Sequence, residues 1–82
     1  MSIEEIFQTM RELVAEHFAV EPAEVSMETV FEEDLGADSV DIVELAMSVE
    51  DTFEVGELPE EIVTTLKTVG DVVNYIAGKL AE

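Results

Sequence analysis

The chain has no cysteine and no tryptophan, one histidine, two prolines and only three basic residues in 82 positions. Without cysteine there is no disulfide, no thiolate nucleophile and no cysteine metal site, and a single histidine removes multi-histidine metal centres. Three Lys and Arg against twenty-one Asp and Glu leave a net charge of -18. Such a chain has too few cations to displace counterions from a phosphate backbone, so nucleic-acid binding is excluded, and an anionic membrane repels it. No apolar run approaches membrane-spanning length, so membrane insertion is not expected. Met1-Ser2-Ile3-Glu4-Glu5 has neither the basic start of a secretory signal nor the arginines of a transit peptide. The expectation is a soluble, cytoplasmic protein.

Acidity of this degree can mean disorder, but 48% of the residues are apolar, which is enough to build a core. At 82 residues the chain fits one domain, residues 1–82, burying roughly 60 to 65% of the unfolded surface. Ile3, Ile6, Phe7, Met10, Leu13, Val14 and Phe18 recur at helical spacing, and Ser2 with Glu5 forms a capping box ahead of them. His17 lies beside this stripe, where a half-exposed histidine suits a helix C-terminus. From Ala19 to Asp38 the periodicity disappears. Pro22 starts a turn there, and Val20, Val25, Val30, Phe31 and Leu35 are spaced to reach a core singly, which predicts a long ordered loop.

A second helix is predicted from Asp38 as N-cap to about Phe53, with Gly36 permitting the turn before it. A short third helix begins at Pro59, with Glu60 and Glu61 in its first turn and Ile62, Val63 and Leu66 to bury. A fourth starts at Thr68-Val69-Gly70-Asp71 and carries Val72, Val73, Ile76 and Leu80 inward. Nothing alternates like a strand. The predicted fold is all-α: a small four-helix bundle of three main helices and one short helix, with a long ordered loop between helices one and two.

Helix two is apolar on two sides. Ile42, Leu45, Ala46, Val49 and Phe53 form a core face, while Val40, Val43 and Met47 lie roughly 130° away on the helical wheel. Glu44 and Asp51 border that second strip on one side and Glu50 on the other. Two readings stand. The strip packs under the short third helix, or it is a partner-binding surface whose carboxylates steer a basic protein.

No catalytic constellation is present, because no base lies near a candidate serine and there is no thiol. The acidic stretch from Glu33 to Asp38 fails as a calcium loop. With Asp34 as position one, Ser39 stands where glycine is required and Leu45 where the bidentate glutamate belongs, so no metal site is expected. Ser39 itself opens helix two, where the helix dipole favours an attached phosphate. A plain helix-start serine is the commoner reading.

The run Asp34-Leu35-Gly36-Ala37-Asp38-Ser39-Val40-Asp41-Ile42-Val43-Glu44-Leu45 resembles the attachment motif of acyl carrier proteins. The similarity extends to the first helix, the Pro22 loop, Phe31-Glu32-Glu33 and the Thr68 to Ile76 helix. The resemblance implies that Ser39 carries a 4'-phosphopantetheine arm derived from coenzyme A, with Asp38 in the attachment motif. The arm would hold acyl intermediates as thioesters, and the protein would be a carrier without catalytic activity of its own. Val40, Asp41, Val43, Glu44, Met47, Glu50 and Asp51 look like the family's docking helix. Implied partners are a phosphopantetheinyl transferase (holo-ACP synthase), synthesis enzymes with basic docking patches, and acyl chains sheathed by residues such as Phe31, Leu45, Val49, Ile62 and Ile76. A monomer is expected. Val40 follows the serine where leucine is more usual, a shorter contact that bears on which enzyme is preferred. Fatty-acid synthesis is the first reading, a polyketide or other specialised acyl pathway the second, and a non-covalent acidic interaction module the third.

Overall fold

The computed structural model describes residues 1–81 and contains five α-helices and one 3-10 turn. Helix α1 (Ile3–Phe18) opens with the predicted capping box: the Ser2 hydroxyl accepts the Glu5 N–H, and Glu5 accepts the Ser2 N–H. These two bonds satisfy donors that a helix start otherwise leaves bare. They also hold the Glu5 carboxyl below its ordinary range, the Ser2 backbone N–H being the main cause. Ile6, Met10 and Val14 are completely buried along one stripe, while Ile3 at its outer end is exposed.

The segment after α1 is more structured than its sequence suggests. Pro22–Glu24 forms a 3-10 turn, and Phe31–Leu35 is a fifth helix, α2, inside what was expected to be loop. Five residues are little more than one turn, too short for a 3.6-residue period to show. Its stability is local. Glu32, Glu33 and Asp34 sit in its positive first turn, and Asp34 Oδ2 accepts the Val30 N–H at 2.7 Å. Gly36 closes it at φ 65°, a conformation that glycine adopts without strain, so that Gly36 and Ala37 donate back to Glu32 and Phe31.

Side-chain anchors hold the connection onto the bundle. Val25 and Phe31 are buried as expected, whereas Val20, Val30 and Leu35 are only half-buried. Arg11 on α1 donates from Nε to the Val25 carbonyl at 3.1 Å and lies over the Phe7 ring. Backbone bonds run from Phe31 N–H to Lys67 C=O, from Val69 N–H to Thr29 C=O, and from Gly70 N–H to Met27 C=O. The last is close enough that a Cβ on Gly70 would stand 2.8 Å from the Met27 oxygen. A single isolated bridge, Val30 to Thr68, is the only β-type pairing among the described residues.

Helix α3 (Ser39–Phe53) buries Leu45, Val49 and Phe53. Helix α4 is four residues, Glu60–Val63, with Pro59 as its N-cap rather than its first residue, because the proline backbone there is extended. Helix α5 (Val69–Leu80) starts at a Thr68/Asp71 capping box and buries Val69, Val72, Val73 and Ile76. The core is thus made chiefly by α1 against α5, with α3 laid across and α4 as a short flap beside it.

Candidate functional site

Ser39 is the first residue of α3, and its position is fixed by chemistry on both sides. Asp38 Oδ1 accepts the Asp41 N–H at 2.9 Å, and Asp41 Oδ2 accepts the Asp38 N–H at 3.2 Å. This reciprocal box fixes where the helix begins and leaves Ser39 exposed between its two members. The Asp38 N–H, and next the His17 ring, hold the Asp41 carboxyl below its ordinary range. His17 is therefore more than a half-exposed terminal residue. Its Nε2 lies 3.2 Å from Asp41 Oδ1, tying the end of α1 to the start of α3.

Beside Ser39 is a depression of about 270 Å³ lined by Phe31, Glu32, Asp38, Ile42, Val43, Val63, Leu66 and Lys67, among others. Its inner wall is apolar. Phe31, Ile42, Val63 and Leu66 also line a small, partly open apolar space of about 30 Å³ among α1, α3, α4 and α5. Leu45 and Val49 line that space as the sequence suggested, but Ile62 and Ile76 do not. Val63 and Leu66 face inward in place of Ile62, and Ile76 is consumed in the α1–α5 contact.

The outer face of α3 resolves the two-sided helix. Val40, Val43 and Met47 are 60%, 56% and 58% exposed, so they do not pack under α4. Glu44 and Asp51 beside them are also exposed. Asp41 and Glu50 are different. Each is half-buried and already engaged, Asp41 in the cap and Glu50 through Oε2, which accepts the Leu58 N–H at 2.7 Å. Val43, Met47, Glu50 and Asp51 form one side of an open groove of about 850 Å³ whose far side is Glu57, Leu58 and Glu60.

The similarity to known proteins spans most of the chain, this region included. A family model described as the phosphopantetheine attachment site matches residues 8–76. The acyl carrier protein of Clostridium acetobutylicum is 42% identical over 77 residues, covering 94% of this chain and 99% of its own length. The chain belongs to the acyl carrier protein family. The solved structure of the acyl carrier protein from Enterococcus faecalis, a study of its high thermal stability, superposes with a TM-score of 0.80 at 32% identity, covering 96% of this chain and 99% of that one.

Carriers of this family hold phosphopantetheine, and the residues around Ser39 fit such a group. The hydroxyl is exposed at the positive end of a fifteen-residue helix, which favours a phosphate. The adjoining depression offers polar rim and apolar wall together, matching an arm that is polar along its length and carries an apolar cargo. Among the described residues no helix is long and apolar enough to cross a membrane. Sequence reasoning did not find the His17–Asp41 tie or the Glu50–Leu58 bond. Both join residues with no periodic relation, so no spacing signals them.

Proposed function

We propose that Ser39 is the residue esterified by 4'-phosphopantetheine and that this protein presents acyl intermediates of fatty-acid synthesis from that point. The observation that carries the reading is the position of Ser39: an exposed hydroxyl between the two members of a capping box, at the rim of a depression with an apolar inner wall. When bound, the arm supplies a thiol that holds an acyl group as a reactive thioester, chemistry this cysteine-free chain cannot provide itself. The protein's own contributions are positional. Asp38 and Asp41 fix the helix start, the helix dipole favours the phosphate, and Ile42, Val63 and Leu66 form the wall along which an apolar cargo leaves water.

The exposed strip Val40, Val43 and Met47, bordered by Glu44 and Asp51, is the surface offered to a phosphopantetheinyl transferase and to synthesis enzymes bearing basic patches. Apolar contact supplies affinity there, and charge supplies the rate of encounter. Asp41 and Glu50 belong to this neighbourhood but act through the fold, since their carboxylates already accept backbone hydrogen bonds. On this reading residues 1–82 are one carrier domain, monomeric and cytoplasmic, with catalysis left to the partners.

The test is direct. Incubation with coenzyme A and a broad-specificity transferase adds the mass of one phosphopantetheine to the wild-type chain and none to Ser39→Ala, with unchanged helicity by circular dichroism. A modified alanine variant, or a wild-type chain that resists every such transferase, overturns the assignment. Acyl groups recovered on protein from its host distinguish fatty-acid intermediates from polyketide ones.

A further inference from the structure

Three basic side chains stand among twenty-one acidic ones, and two of the three are engaged. Arg11 donates to the Val25 carbonyl and lies over the Phe7 ring, and the Lys79 ammonium lies over the Tyr75 ring at 5.9 Å. Lys67 is the exception. Its side chain is exposed, and its ammonium makes no hydrogen bond or ion pair among the described residues. Its backbone is held on both sides. The Lys67 N–H donates to Asp71 Oδ2 at 3.0 Å, within the cap of α5, and its carbonyl accepts the Phe31 N–H of α2 at 3.1 Å. A fixed backbone under a four-carbon stem puts a point charge within reach of one defined neighbourhood.

That neighbourhood is the depression beside Ser39. Both residues line it, Ser39 from the start of α3 and Lys67 from the connection between α4 and α5, and Lys67 is its one basic residue among those described. Glu32, Asp38 and Glu60 line it too, yet none of the three comes within ion-pair distance of the ammonium. A phosphodiester on the Ser39 hydroxyl keeps one negative charge at every physiological pH. The carboxylates of Asp38 and Asp41, which cap the helix on either side of its attachment point, repel that charge. Lys67 is the side chain in the depression that attracts it, and a phosphate tethered to the same depression meets it at high effective concentration.

We propose that Lys67 is the counterion of the Ser39 phosphodiester: its ammonium pairs with the phosphate across the depression and draws the first part of the arm over the apolar wall of Ile42, Val63 and Leu66. The inference rests on the carrier reading, which supplies the phosphate. What Lys67 adds is direction. An exposed pair of this kind is weak and screened by salt, so it biases the arm rather than clamping it. A bias suits an arm that has to swing away again when its cargo is taken.

Competitive acetylation with a trace of acetic anhydride tests the pair, because an ion-paired ammonium gives up its proton less readily and is acylated more slowly. The chain is compared before and after pantetheinylation, with the arm's thiol capped by iodoacetamide, and mass spectrometry reads Lys67 against Lys79 at the other end of α5. Pantetheinylation lowers the Lys67 to Lys79 labelling ratio at least about twofold at low ionic strength, and 0.5 M sodium chloride, where the screening length is roughly 4 Å, restores it. An unchanged ratio overturns the pair. So does a fall that persists undiminished in salt, which marks steric cover by the arm. Direction has its own readout in the pantetheinylated chain. Nuclear Overhauser contacts from the arm's geminal methyl groups to the Val63 and Leu66 methyls weaken at least about twofold in Lys67→Gln and return in Lys67→Arg, with the urea midpoint unchanged in both. Equal contacts in wild type and Lys67→Gln overturn the directing role. A chain that no transferase modifies refutes the carrier reading and this inference together, whereas a modified chain with an unchanged labelling ratio refutes this inference alone.

Discussion

The two sides of this molecule are built on opposite terms. Where α1 meets α5, Ile6, Met10, Val14, Val69, Val73 and Ile76 show no accessible surface at all, and both helices begin with complete capping boxes. Where α3 meets α4, Val40, Val43 and Met47 stand more than half exposed, α4 is a single turn, and a small void remains between the helices. Burial of apolar surface is the main favourable term in folding, so the first side holds the domain together. The second leaves part of that driving force unspent. On the function proposed above, a carrier that admits cargo and meets partner enzymes needs a side that opens at low free energy, and packing the other side tightly makes that tolerable.

If this division is right, truncation in the closed side produces the largest effect on stability. Ile76→Ala removes a fully buried side chain from the α1–α5 contact and costs about 3 kcal/mol. Urea unfolding measures this as a lowered midpoint at unchanged slope. The Ser39 environment is expected to survive, so the folded fraction of the variant is still pantetheinylated at the wild-type rate. A loss below about 1 kcal/mol would mean that the site collapses easily and that the two sides are not so unequal.

The same asymmetry governs what could be read from the chain. The long helices were legible because Ile6, Met10 and Val14, or Val69, Val73 and Ile76, repeat at 3.6-residue spacing behind recognisable caps. The family was legible through the motif around Ser39. Helix α2 was not, because Phe31–Leu35 is too short to display a period and is held by Asp34 and Gly36 rather than by a stripe. The apolar strip on α3 was visible as a strip, but composition could not say whether α4 would cover it, since that depends on the length of a helix with only four residues. The engaged state of Asp41 and Glu50 was illegible for a simpler reason. In a chain with twenty-one acidic residues, several of which accept backbone N–H groups, nothing in sequence marks Asp41 for the His17 ring or Glu50 for the Leu58 N–H.

Acid is expected to act on both sides, and to a lesser degree than Ile76→Ala. Glu5 and Asp71 cap the closed side and Asp41 the open one, and all three carboxyls are held below their ordinary range by backbone N–H groups, with Ser2, Thr68 and Asp38 respectively the leading partners. The unfolded chain therefore binds protons at these positions more readily than the folded chain. Their contribution is complete above the unfolded pKa of about 4 and is lost as pH falls through the lower folded values. Neutralising a net charge of -18 works the other way, relieving repulsion as carboxylates protonate. The melting temperature should accordingly pass through a maximum at mildly acidic pH and decline below about 4. A midpoint that rises without a turn down to pH near 3 would show that the caps contribute nothing that repulsion does not outweigh.

The smallest effect on stability belongs to the open side. Val43→Ser combined with Met47→Ser removes side chains that are already more than half in water, so little burial is lost and each change stays within about 0.5 kcal/mol. The same pair is expected to raise the KM of a phosphopantetheinyl transferase for this carrier at least about fivefold, because exposed apolar groups that contribute nothing to the fold are free to contribute to an interface. Urea midpoints and transferase kinetics on the same preparations separate the two roles. A variant that lost stability while binding normally would place Val43 and Met47 in the core, against their exposure. One that kept both would make the strip an ordinary scattering of surface apolar residues. Only unchanged stability with weakened capture fits a helix whose inner face, Leu45, Val49 and Phe53, is already occupied by the core and whose outer face is still available.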